Sequence, residues 1–108
     1  MTSQALDEQD INFGIVGYFD AQTVSALEED FQALVDDNQG RIILDLSEAD
    51  FMDSSGLGSI VFLYKRLKAQ KRDLVLSGMN GQPARLIRSL CVDKTITTEF
   101  IDTEEAAE

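Results

Sequence analysis

The sequence predicts an α/β domain: a mixed four- to five-stranded β-sheet packed with about four α-helices. Three observations carry that expectation. Short apolar runs, of which Ile42-Ile43-Leu44 is the purest, alternate along the chain with longer stretches whose apolar residues recur at spacings of three and four. The run from Arg41 to Leu46 meets no acidic residue before Asp45, as in an interior strand covered on both faces by helices. And 108 residues with 44% apolar content suffice for a single core and no second module. The chain therefore reads as one domain over 1–108, with an ordered core at about 11–101 and a disordered acidic tail at 102–108.

In order, the first ten residues are polar and end in Asp7-Glu8-Gln9-Asp10, which reads as a frayed start or a short edge strand. Ile11, Phe13 and Ile15 alternate with Asn12, Gly14 and Val16, the period of a strand, and Gly17 is expected to close it. Asp20 then precedes Val24, Leu27, Phe31, Leu34 and Val35, the stripe of one amphipathic helix, which Asn38-Gln39-Gly40 should end. The strand at Arg41–Leu46 is followed by a polar turn. Leu57, Ile60, Val61, Leu63, Tyr64 and Leu67 then form the apolar stripe of a central helix. Asp73–Ser77 is a short strand, and Pro83 suits the first turn of a helix that buries Leu86, Ile87 and Leu90. Thr95–Ile101 is rich in β-formers and closes the core.

Charge excludes several functions. Residues 1–50 hold twelve acidic side chains and one basic one, Arg41, whereas residues 51–108 hold eight of each, so the whole formal charge of −11 belongs to the first half. Such a surface should bind neither nucleic acid nor anionic membrane, which need clustered cations. The one basic group, Lys65, Arg66, Lys68, Lys71 and Arg72, falls at the end of the central helix, where cations complement the dipole. No leader or membrane span is apparent, so the chain reads as soluble and cytoplasmic, without membrane insertion. Cys91, the single cysteine, lies in an apolar pattern and reads as a buried thiol. The sequence contains no histidine, and neither a metal site nor a cofactor is expected.

The chemistry concentrates where the third strand gives way to the central helix. Asp53, Ser54 and Ser55 stand directly ahead of the helical run, and the leading N–H groups of a helix need side-chain acceptors. The same groups, with the dipole, favour an anion. Ser54 or Ser55 is thus either a plain cap or a hydroxyl that accepts a phosphoryl group. Gly56 and Gly58 cost the helix roughly 1 kcal/mol each against alanine. Either close packing of the helix start or close approach of a partner must offset that loss. A serine hydrolase is not expected, because Lys65, the first Lys or Arg beyond the serines, begins roughly 16 Å down the helix at about 1.5 Å per residue.

Phe51-Met52-Asp53-Ser54-Ser55-Gly56-Leu57-Gly58, with Ile42–Leu46 before it and Leu63–Leu67 after it, resembles the central segment of a STAS domain. More narrowly, it resembles the single-domain anti-anti-sigma factors, or anti-sigma factor antagonists. The likeness runs from about Ile11 to Ile101 and implies the STAS fold. It implies that Ser54 is the phosphorylation site, and that Asp53, Ser54, Ser55, Gly56 and Gly58 contact the partner. Asp20 resembles the aspartate of the family's Gly-x-x-Asp turn, which adds to that contact; a plain helix cap or turn aspartate is the other reading. The implied role is a non-enzymatic partner switch. The unphosphorylated form binds an anti-sigma factor that is also a serine kinase, phosphorylation blocks binding, and a PP2C-type serine phosphatase reverses it. The alternative is a STAS scaffold subunit of a signalling or lipid-transport complex without a phosphoswitch.

Overall fold

The computed structural model describes residues 10–37 and 40–101. Its strands are β1 (Asp10–Gly14), β2 (Gly17–Phe19), β3 (Arg41–Asp45), β4 (Ala49–Met52), β5 (Leu74–Met79) and β6 (Thr97–Phe100). Its helices are α1 (Ala21–Ala26), α2 (Glu28–Asp37), α3 (Ser54–Ala69) and α4 (Gly81–Ser89), followed by a 3-10 turn at Val92–Lys94. The main sheet has the order β1-β3-β5-β6, and β2 and β4 form a second short ladder. Every ladder among the described residues is parallel. Parallel neighbours cannot be joined by a hairpin, so the chain must cross over between them, and the helices lie in those crossovers. A strand within residues 1–9, and the expected disordered tail at 102–108, lie outside the described residues.

One face of the main sheet is the buried one. On the other, Asn12 of β1, Arg41 of β3 and Thr97 of β6 are exposed and Ile43 is only half-buried, so the covering of the Arg41–Leu46 strand on both faces expected from its sequence is not found among the described residues. Ile42 and Leu44 in β3 and Leu76 in β5 are fully buried, and Ile60, Leu63 and Leu67 of α3 pack into the same core. Removing each such side chain from water contributes about 2 kcal/mol. The three are spaced at three and four residues, so one stripe of α3 faces the sheet.

Local patterning misplaced four features. The strand expected to run to Gly17 stops at Gly14, and Gly17 instead opens β2. The run expected to be a polar turn contains β4, whose partner is β2. Its register with β2 slips beside Gly17, and the slip leaves Asp50 and Phe51 both exposed between buried Ala49 and Met52. A bulge of this kind erases the period of two on which recognition of a strand depends. The single helix expected after Asp20 is divided at Leu27 into α1 and α2, both of which pack against α3. Finally, α4 ends before Leu90, which is 56% exposed, and Cys91 adopts the left-handed conformation with φ 58. Its thiol is exposed, not buried, because the residue that reverses the chain past a helix end turns away from the core.

The basic group beyond α3 does more than answer that helix's own dipole. Arg66 and Lys68 occupy the last turn of α3 as expected. Arg72 instead crosses to the end of α2, where its Nη1 donates to the carbonyls of Leu34 at 3.1 Å and Val35 at 3.2 Å and its Nε to that of Gly40 at 3.1 Å. Helix α2 has no basic residue in its own last turn, so Arg72 satisfies the carbonyls that α2 leaves open.

A tight turn links β3 to β4. One oxygen of Asp45 accepts the Ser47 N–H at 2.9 Å, and this bond holds the Asp45 carboxyl below its ordinary value of 3.8. A carboxyl lowered by folding adds stability above its unfolded pKa and loses it as pH falls through the folded value. Wild type should therefore lose stability on acidification below about pH 4 more steeply than Asp45→Asn. Chemical denaturation at pH 3 and pH 7 measures the difference, and equal slopes would exclude this source.

Candidate functional site

The ladder of β2 and β4 sets Phe19 opposite Met52 in parallel, so the chain leaves both strands at the same level, once as Asp20 and once as Asp53. Each aspartate caps the helix that follows. Asp20 Oδ1 accepts the Thr23 N–H at 3.1 Å, and Asp53 Oδ1 accepts the N–H groups of Ser55 at 2.9 Å and Gly56 at 3.1 Å. Helices α1 and α3 thus begin side by side, beyond the carboxyl ends of parallel strands, where open α/β sheets generally place their sites. The Asp53 N–H, directed at the Phe19 carbonyl at 3.4 Å, ties the two starts together. Asp20 therefore leaves β2 beside the strand end that leads to Asp53, and its carboxylate performs the plain capping role.

Capping by Ser54 or Ser55 is corrected: Asp53 fills that position, because its carboxylate already reaches the second and third N–H groups of α3. Ser54 is therefore left as the first residue of the helix. It is exposed, and its hydroxyl makes no hydrogen bond within the described residues. Ser55 is half-buried and contributes its backbone N–H to Asp53.

The two glycines separate in role. Gly56 is buried, and a Cβ there would run into the carbonyl oxygen of Phe19 and lie 2.9 Å from its Cγ. Close packing of α3 on the end of β2 accounts for it. Gly58 is exposed, and a Cβ would meet nothing within 4 Å. Among the described residues no packing accounts for that glycine. Gly58→Ala should raise stability by about 0.5–1 kcal/mol in urea denaturation, since it removes chain entropy from the unfolded state at no steric cost. A loss of stability would mean that the open space at this position is filled.

Next to Ser55, between α2 and α3, lies a cleft of about 580 Å³. Val24, Phe31 and Leu63 give it an apolar lining, and Glu28, Glu29 and Arg66 are at its rim. Sequence patterning missed it, because its lining is drawn from three separate helices, α1, α2 and α3. Among the described residues no group of histidine, cysteine, aspartate and glutamate could hold a metal ion. No helix there is long and apolar enough to cross a membrane.

Residues 5–107 match the family model of the STAS domain. This chain belongs to the STAS domain family. A STAS relative from Listeria monocytogenes, an anti-sigma-B factor antagonist, is 28% identical over 99 residues, which cover 91% of this chain and 86% of the relative. Two solved structures share the fold. The anti-sigma factor antagonist SpoIIAA in its unphosphorylated form superposes with a TM-score of 0.65 at 18% identity, over 93% of this chain and 86% of that one. A sulfate transporter family protein from Wolinella succinogenes gives 0.72 at 15%, over 91% and 83%. The STAS fold expected from the sequence is the fold observed, and these likenesses concern architecture alone.

Proposed function

We propose that this protein is an anti-sigma factor antagonist that works by partner switching in the cytoplasm, and that Ser54 is its switch. Its unphosphorylated form binds an anti-sigma factor that is also a serine kinase. Phosphorylation of Ser54 by that kinase ends the complex, and a PP2C-type phosphatase restores it. The protein itself catalyses nothing in this cycle. One observation carries the reading: Ser54 presents an exposed hydroxyl at the first position of α3 while the neighbouring aspartate does the capping. The name of the Listeria relative supports the same role.

The chemistry follows from who holds the helix N–H groups. A phosphate brings about −1.5 to −2 charge at pH 7. The N–H groups of Ser55 and Gly56 are already engaged by Asp53, so a phosphate on Ser54 would not be drawn inward among them. It would project outward, beside the carboxylates of Asp53 and Asp20, into any surface fitted to the bare hydroxyl. The result is exclusion of a partner by bulk, like charge and desolvation, with the domain itself left folded. Asp20, Asp53, Ser55, Gly56 and Gly58 frame that contact. The open flank at Gly58 lets a partner's backbone come close, and the cleft beside Ser55 offers it apolar surface.

Mass spectrometry of the chain recovered from its own cells tests this directly. Phosphate on Ser54, gained when a co-purifying serine kinase is supplied with ATP and lost on treatment with a PP2C phosphatase, is the expected result. An unmodified chain in fixed stoichiometry with transport subunits would replace the switch with a scaffold.

A further inference from the structure

Strand β4 has two edges, and only one of them is paired with β2. On the other side Met52 is fully buried, so its backbone N–H and C=O cannot turn to water. Both are met by one side chain. The Met52 N–H donates to Gln82 Oε1 at 2.8 Å, and Gln82 Nε2 donates to the Met52 carbonyl at 2.9 Å. The amide of Gln82 thus does for Met52 what a residue of a neighbouring strand would do. A carboxamide carries a donor and an acceptor in one plane for such a pair, as an ionised carboxylate does not.

The place of this clamp is what gives it meaning. Met52 is followed by Asp53, whose carboxylate organises the first turn of α3, and then by Ser54. Gln82 lies in the first turn of α4, and α4 packs against β4. The approach of α4 is itself fixed: its leading residue Gly81 takes φ +61, and Asn80, instead of capping α4, donates through Nδ2 to the carbonyl of Gly78 at 2.9 Å. The Phe19 carbonyl, at 3.4 Å from the Asp53 nitrogen, is a weaker tether on the opposite side. We infer that Gln82 is a positioning residue for Ser54: through Met52 it fixes the strand end from which Asp53 and the serine hydroxyl are presented, and it makes α4 a second point of control over them. What it positions as a phosphoacceptor rests on the reading of Ser54 given above; that it positions the loop does not.

The test uses the full chain as wild type, Gln82→Met, Gln82→Glu and Gln82→Asn. Methionine keeps the length without polar groups, ionised glutamate can accept from Met52 but not donate to it, and asparagine is one carbon short. Amide hydrogen exchange followed by NMR should quicken about tenfold or more at Met52, Ser55 and Gly56 in Gln82→Met, with little change at Leu63 and Leu67 farther along α3. Gln82→Glu and Gln82→Asn should fall between. If Met52 exchanges faster while Ser55 and Gly56 keep the wild-type rate, or if all five amides change together, the positioning role is overturned.

A second arm uses the serine kinase that co-purifies with the chain. Phosphorylation of Ser54 should lose kcat more than KM in Gln82→Met, and Gln82→Asn should recover part of it. An unchanged rate despite quickened exchange would reduce Gln82 to a structural clamp. If wild type itself is never phosphorylated at Ser54, the switch fails and the exchange pattern alone decides the positioning role.

Discussion

Gly56→Ala should destabilise the domain by about 3 kcal/mol, a fall in melting temperature of about 15 °C for a chain of this size. One added carbon carries so large an effect because of what it meets. The obstacle is the backbone carbonyl of Phe19, which has no rotamer to escape into, together with the ring of a side chain that is itself fully buried. Relief requires α3 to move off the end of β2, which would lengthen the bond between Asp53 and the Phe19 carbonyl and pull the two capped helix starts apart. Gly58→Ala, two residues on, provides the control of opposite sign. Thermal and urea unfolding of the two variants should bracket wild type, and an unperturbed Gly56→Ala would mean that α3 does not seat on Phe19.

Ser54→Asp should bind the anti-sigma factor kinase about 100-fold more weakly than wild type, and Ser54→Ala should bind it within about threefold. A 100-fold loss is about 2.7 kcal/mol, within the cost of burying a charge without a counterion at an interface. The asymmetry arises because alanine removes a hydroxyl with no partner among the described residues, whereas aspartate places a third carboxylate beside Asp53 and Asp20. Neither change touches the core, so both variants should melt within a few degrees of wild type. Calorimetric titration of the kinase with the three chains measures the order. Equal affinity for wild type and Ser54→Asp would sink the switch, whatever the modification state found in cells.

The candidate site was legible to different depths. Ser54 and Asp53 could be named from the order of residues, because a strand, an Asp-Ser-Ser-Gly run and a helical stripe leave few places for a helix to begin. The division of labour between them could not. Aspartate and serine are both good caps, and only the backbone geometry decides which oxygen reaches the N–H groups and which is left to solvent. The roles of the two glycines were open for the same reason: the cost to the helix is the same at both, but only Gly56 has Phe19 against it. Gln82 carried no signal at all, since its partner is a backbone group thirty positions away.

What local chemistry determined by itself was the class of fold, the buried stripe of α3, the acidic first half and the place of the serine loop. Each follows from periodicity, composition or propensity, quantities that neighbouring residues set among themselves. Tertiary structure decided the pairing of β2 with β4, the meeting of Asp20 with Asp53 and the seating of Gly56 against Phe19. Those depend on register and close approach between segments more than thirty residues apart. Distances across a sheet are fixed by packing, which no window along the chain contains.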